Sequence, residues 1–240
     1  MNRLWGPVLA SAGVGVASQW VPSVVSLGQW VPLRALPARL CRWRGSGDQV
    51  ALTFDDGPSP TATPPVLDAL DRLGLPATFF CLGAHAARWP GLVEEIIGRG
   101  HAVGTHGQRH GHHLGHSPRW ILRDLDAALA TMAGLGVQPR WFRPPYGQVS
   151  GPTMAAARIR HLELVLWSAW GREWTAPHAA AVGRTVNAAL AAGAIVLLHD
   201  SDGCSTVGTA AKALAALGPI AEELGRRGLR AATLDDLVPA

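Results

Sequence analysis

Two adjacent carboxylates, Asp55 and Asp56, stand where the apolar run Val50-Ala51-Leu52-Thr53-Phe54 stops and Gly57-Pro58 opens a turn. Like charges so placed repel unless a cation or an arginine neutralises one of them, so the pair is costly as decoration and useful as chemistry. Asp-Asp-Gly-Pro is also good turn chemistry, and the pair alone does not decide between the two. His106 and His110 are four residues apart, a spacing that brings two imidazoles to one side of a helical turn and suits a single metal ion. Asp56 can add a carboxylate oxygen, giving a two-histidine, one-carboxylate site with positions left for water and substrate. The plainer alternative is a polar loop, because His112, His113 and His116 follow closely and cannot all be ligands. His199 ends the apolar run Ala194-Ile195-Val196-Leu197-Leu198 and presents one group able to titrate near neutrality, or merely satisfies a carbonyl at the strand end. Arg143, in Arg143-Pro144-Pro145-Tyr146-Gly147, stands on a rigid turn and is able to hold a carboxylate, if the segment is more than an ordinary proline-rich loop.

These residues need elements that bring them together. Strand-like runs are expected at residues 49–54, 77–82, 101–105, 140–143, 162–167, 194–199 and 229–234. Helix-like segments alternate with them at 64–73, 91–99, 118–135, 151–160, 179–192 and 209–227, and Ser117-Pro118 is a clear helix start. Such alternation implies a parallel sheet, and seven units in the space available fit a closed or nearly closed β/α barrel. A doubly wound open sheet is the alternative. In either, ligands gather at the carboxyl ends of strands, where Asp55-Asp56, His106, Arg143 to Gly147, Glu173 and His199-Asp200 all fall.

The chain has 240 residues, 48% of them hydrophobic, enough for one barrel-sized domain. The net charge is +4, but the basic residues are scattered and no arginine run with interleaved aromatics occurs, so no nucleic-acid partner is expected. Cys41, Cys81 and Cys204 form neither a disulfide framework nor a zinc ribbon, and Cys204 reads as a bystander near His199. Residues 1–44 read as an apolar leader or membrane-associated segment, uncharged between Arg3 and Arg34, and residues 45–240 as the catalytic domain. Arg34, Arg39, Arg42 and Arg44 after the apolar stretch favour keeping that side in the cytoplasm, so anchor, uncleaved leader and tail stay open.

The motifs Thr53-Phe54-Asp55-Asp56-Gly57-Pro58, His106-x3-His110, Arg143-Pro144-Pro145-Tyr146-Gly147 and Leu197-Leu198-His199-Asp200 occur in the order found in polysaccharide deacetylases. Over roughly residues 49–237 the chain resembles carbohydrate esterase family four. The resemblance implies a distorted (β/α)7 barrel that binds one divalent metal ion, zinc before cobalt, and removes acetyl groups from amino sugars of peptidoglycan, chitin or related glycans. Carried over by position, it implies Asp55 as general base and Asp56, His106 and His110 as metal ligands. Arg143 then orients Asp55, the Tyr146 backbone N–H helps hold the oxyanion, and His199 is the general acid. A monomer is expected, at the cell membrane or outside it, with a cytoplasmic location as the alternative. Three positions depart from the family pattern: Gly107 replaces a usual Ser or Thr, Glu173 a usual Asp, and Trp170 a frequent acidic residue. Glu173 either reaches His199 or misses it. Of Trp141, Trp167, Trp170 and Trp174, most are expected in the core and one at most, Trp174, against substrate. A glycan-binding domain with a retained metal site and faded catalysis is the competing reading.

Overall fold

The computed structural model describes residues 44, 45 and 47–239. The apolar segment expected at 1–44 falls outside them except for Arg44, as does Cys41. Among the described residues, no helix is long and apolar enough to cross a membrane.

Eight parallel strands form one curled sheet: β1 (Gln49–Asp55), β2 (Thr78–Cys81), β3 (Ala102–Thr105), β4 (Trp141–Phe142), β5 (Glu163–Leu164), β6 (Ala169–Trp170), β7 (Ile195–His199) and β8 (Arg230–Ala232). Their order is β5-β4-β3-β2-β1-β7-β6, with β8 against the start of β1. Ala51 pairs at once with Ile195 and Ala232, so β8 must share an edge of β1 with β2. This is the distorted barrel that the family resemblance implied, with β5 and β6 at its two open ends, and the alternation had indicated its parallel sheet. The centre is β1, whose residues 50–55 are all buried and whose Phe54 ring stacks on Phe79 at 5.0 Å. Removing each such aromatic or leucine side chain from water contributes about 1.5–3 kcal/mol.

The helices are α1 (Thr63–Leu73), α2 (Gly83–Arg88), α3 (Pro90–Gly98), α4 (Pro118–Gly134), α5 (Gly151–Ile159), α6 (Ala179–Ala189), α7 (Thr209–Arg227) and α8 (Leu234–Leu237). Ser117 caps α4 as its sequence indicates, its hydroxyl accepting from the Trp120 N–H at 3.2 Å. The N-terminal turn of α7 is closed by Asp202, whose carboxylate accepts from the N–H groups of Gly208 (2.7 Å) and Ala210 (2.8 Å).

Two expectations change. The strand expected at 162–167 is a two-residue ladder, because the carbonyls of Val165 and Leu166 turn away to accept from the Arg143 guanidinium at 3.4 and 3.0 Å. The freed chain then forms β6, pairing Ala169 with Val196 and Trp170 with Leu197. Register does the rest of the positioning. Asp55 pairs with Phe80 and His199, Cys81 with Thr105, and Thr105 with Phe142, so the chemical residues leave their strands at one level.

Candidate active site

Asp55, at the end of β1, is 3% exposed, and its Oδ1 accepts from Arg143 Nη1 at 2.8 Å. The same Nη1 donates to Thr53 Oγ1 at 2.7 Å, and the guanidinium lies over the Phe80 ring at 4.1 Å. Arg143 is wholly buried, so its charge is neutralised by Asp55 and spread over the carbonyls at the barrel seam. The repulsion between the adjacent carboxylates therefore has a partner on the Asp55 side.

Asp56 has a different answer. Its backbone turns to φ 75°, separating its side chain from that of Asp55, and its carbonyl bonds His85 Nδ1 at 2.9 Å. Its Oδ1 lies 3.4 Å from His106 Nε2 and 3.2 Å from His110 Nε2. The Nδ1 of His106 is 2.7 Å from the carbonyl of Arg143, which only accepts, so the proton sits on Nδ1 and Nε2 offers a lone pair to the site. Asp56 Oδ1 is buried without a hydrogen-bond partner, and the three ligand atoms lie within 4.8 Å of one another. Electron-pair donors converging on one another, with an orphaned anionic oxygen among them, fit a divalent cation. Burial opposes ionisation of Asp56, but wherever an Nε2 of the two imidazoles takes up a proton it donates to this carboxylate, which outweighs burial and holds the carboxyl far below the usual range. The other nearby histidines are engaged elsewhere: His112 stacks on Tyr146 at 3.8 Å, His113 bonds Thr153 Oγ1 at 3.0 Å, and His116 stacks on Trp120 at 3.6 Å.

The turn that follows is clamped by Asp200, whose Oδ2 accepts from the Thr63 hydroxyl at 2.6 Å, while Thr63 Oγ1 in turn accepts from the Ser59 N–H at 2.7 Å. A side chain at Gly57 would collide with the Asp200 carboxylate, which is why this turn needs glycine. Burial, with Asp56 and Asp55 nearby, pushes the Asp200 carboxyl up to about 7.

Opposite the metal cluster, Glu173 reaches His199: its Oε1 is 3.3 Å from Nδ1, and the carboxylate is fully buried. Burial disfavours the His199 imidazolium, but Glu173, backed by Asp56 and Asp55, reverses this and lifts its pKa to about 9. The Glu173 loop is held by Lys212, the one lysine of the chain, whose Nζ donates to the carbonyls of Glu173 (2.9 Å) and Ala176 (2.8 Å).

The two carboxylates, the paired histidines and His199 open into one cavity of about 520 Å³. Asp55, Asp56, His106, His110, His199, Tyr146 and Trp174 line it, while Arg143 and Glu173 stand behind Asp55 and His199. The aromatic expectation needs correction. Trp141 is core, but Trp167 and Trp170 line the cavity beside Trp174, because the short β6 and its loop run along the rim. Trp174 also presents an edge to His199, with ring centres 5.5 Å apart. Cys204 is likewise no bystander: with Ser205 and Thr206 it forms one wall, and burial pushes its thiol up to about 12. Its nearness to His199 in sequence was the available signal. Tyr146, at φ 58° and 41% exposed, lies between His112 and His110, the latter 4.2 Å away edge-on.

A family model described as polysaccharide deacetylase matches residues 44–165. A peptidoglycan-N-acetylglucosamine deacetylase of Bacillus cereus is 34% identical over 194 residues, which cover 79% of this chain and 87% of that protein. A chitooligosaccharide deacetylase of a Bradyrhizobium species is 34% identical over 196 residues, covering 78% of this chain and 90% of that one. Among solved structures, a peptidoglycan N-acetylglucosamine deacetylase in complex with a naphthalenyl N-oxidanyl-benzamide aligns with a TM-score of 0.80 at 27% identity, covering 87% of this chain and 97% of its own.

Proposed function

The chain belongs to the polysaccharide deacetylase family, and we propose that it hydrolyses the acetamide of N-acetylglucosamine units in peptidoglycan or a chitin-type oligosaccharide, the substrates named for its relatives. One observation carries this reading. The Arg143-held Asp55, the Asp56, His106 and His110 cluster, and the Glu173-paired His199 all meet at a single cavity. Asp56, His106 and His110 would hold one divalent ion, zinc before cobalt, which when bound supplies Lewis acidity toward the acetyl carbonyl and acidifies water.

The residues of the chain do the remaining work. Asp55, oriented by its hydrogen bond from Arg143, takes a proton from the water that attacks the acetyl carbon. The Tyr146 backbone N–H is placed by this reading at the developing oxyanion. His199 then gives its proton to the leaving nitrogen as the carbon–nitrogen bond breaks, so that acetate and a free amine result. Trp174 flanks the sugar, a role supported by its place on the cavity wall beside His199. A wall glycan, the substrate named for the relative from Bacillus cereus, also supports an extracytoplasmic barrel, with residues 1–44 as its leader or membrane-associated segment.

Zinc-loaded full-length protein incubated with chitooligosaccharide or peptidoglycan should release acetate, stop on chelation, and resume when zinc or cobalt is restored. No acetate from either substrate with metal bound would overturn the reading.

A further inference from the structure

The chain between His106 and His110 departs from the family pattern at Gly107, where a supporting hydroxyl is expected. Its backbone is nevertheless bonded from both sides. The Gly107 N–H donates to Thr105 Oγ1 at 3.3 Å, the Gln108 N–H to Asp124 Oδ2 at 2.9 Å, and the Arg109 N–H to the same oxygen at 3.5 Å. On the other side, the carbonyls of Gly107 and Gln108 accept from Gly83 N (2.9 Å) and Ala84 N (3.0 Å), the opening turn of α2. Gly107 has φ 86°, and a Cβ there would stand 2.8 Å from Asp124 Oδ2. Glycine at 107 and the carboxylate at 124 thus belong together, since a side chain at the first displaces the second.

Asp124 stands on α4 between the core residues Ile121, Leu125 and Ala128, and is 8% exposed. A carboxylate in such a place is costly unless its oxygens are used. The oxygen in question is spent on the short span that carries two of the three ligand residues.

We infer that Asp124 is a positioning residue for the metal centre, its carboxylate replacing from a neighbouring helix the hydroxyl that Gly107 lacks. It touches neither imidazole. It acts by fixing the backbone of residues 107–109, and through it the separation at which His106 Nε2 and His110 Nε2 face Asp56. The inference rests on the metal reading above and extends it to a residue outside the motifs.

The test is metal affinity, measured on the full chain stripped of metal by competition with a chromophoric chelator and by the visible absorption of the cobalt form. Asp124→Ala should weaken zinc about 10- to 100-fold and alter the cobalt spectrum, the range found when supporting groups behind metal ligands are lost. Gly107→Ser should do the same by displacing the carboxylate. Asp124→Asn retains an oxygen acceptor at the same reach and should stay within about threefold of the unmodified chain, because both N–H groups keep a partner. Circular dichroism identifies variants that do not fold, and Asp124→Ser, too short to reach the loop, replaces Asp124→Ala if that one fails. A folded Asp124→Ala or Asp124→Ser that binds zinc like the unmodified chain overturns the inference. So does an Asp124→Asn as weak as Asp124→Ala, which would make the charge and not the acceptor responsible. Failure of the unmodified chain to bind either metal overturns the metal reading itself, a separate and recognisable result.

Discussion

The metal half and the acid half of the cavity are assembled by opposite means. Asp56, His106 and His110 come from one turn and one short loop, and short backbone contacts hold them: the Asp56 carbonyl on His85, the His106 ring on the Arg143 carbonyl. The acid half is held by side chains instead. His199 depends on the Glu173 carboxylate, on a loop that β6 enters and that the Lys212 side chain fastens from α7. A centre held by backbone contacts keeps its geometry through fixed spacing, whereas one held by side chains keeps it through reach. That difference accounts for the two substitutions within the motifs. On the inference above, the metal half accepts glycine at 107 because a neighbouring helix supplies an acceptor, and the acid half accepts Glu173 because the longer side chain still arrives.

Asp55 stands between the halves, and removing its charge should have the largest effect. Asp55→Asn should lower acetate release by about 100- to 10,000-fold while zinc affinity stays close to that of the unmodified chain. A loss of zinc binding as great as the loss of turnover would break the separation, since the base would then belong to the metal half.

Glu173→Gln comes next and acts on the acid half alone. Neutralising the partner of His199 should drop its pKa from about 9 toward the ordinary value near 6.5. In the proposed reaction the protonated imidazole is the active form, so the alkaline limb of the rate profile should move down, costing most between those two values. The sign for stability is the same. The raised pKa stabilises the fold fully below the unfolded value of about 6.5, and that contribution is lost as pH rises through about 9. Imidazole NMR on the metal-free protein reads the shift directly, and an unmoved His199 would refute the pairing.

Lys212→Met should be the mildest. Two hydrogen bonds to the Glu173 loop disappear but no reacting group does, so turnover should fall about 2- to 12-fold, the worth of roughly one net hydrogen bond. The alkaline limb should lie between those of the unmodified chain and Glu173→Gln, with zinc affinity unchanged. A weakened zinc site here would show that the halves are not independent.

The same division governs what could be read before the structure was known. Asp55 and His199 were legible because each ends a continuous apolar run, and central strands buried on both faces write themselves as such runs. The residues proposed as metal ligands were legible less from the His106–His110 spacing, which a polar loop would also allow, than from the order of the motifs around it. By contrast β6 consists of Ala169 and Trp170 alone, a strand only because Val196 and Leu197 lie beside it. Helix α2 is six residues long and starts after Leu82 with no side-chain cap, so no usual start signal marks it. Whether Glu173 would reach His199, and whether Trp170 would face the core or the cavity, depended on how the loop after β6 lies against α7. No local pattern in residues 167–174 encodes that.

Arg143 joins what would otherwise be separate modes of failure. The guanidinium that orients Asp55 also takes the carbonyls of Val165 and Leu166, at the place where the strands leave the barrel unclosed. Loosening that joint frees the base in the same motion. The seam of the barrel and the orientation of Asp55 therefore share one fastening, and neither can shift without the other.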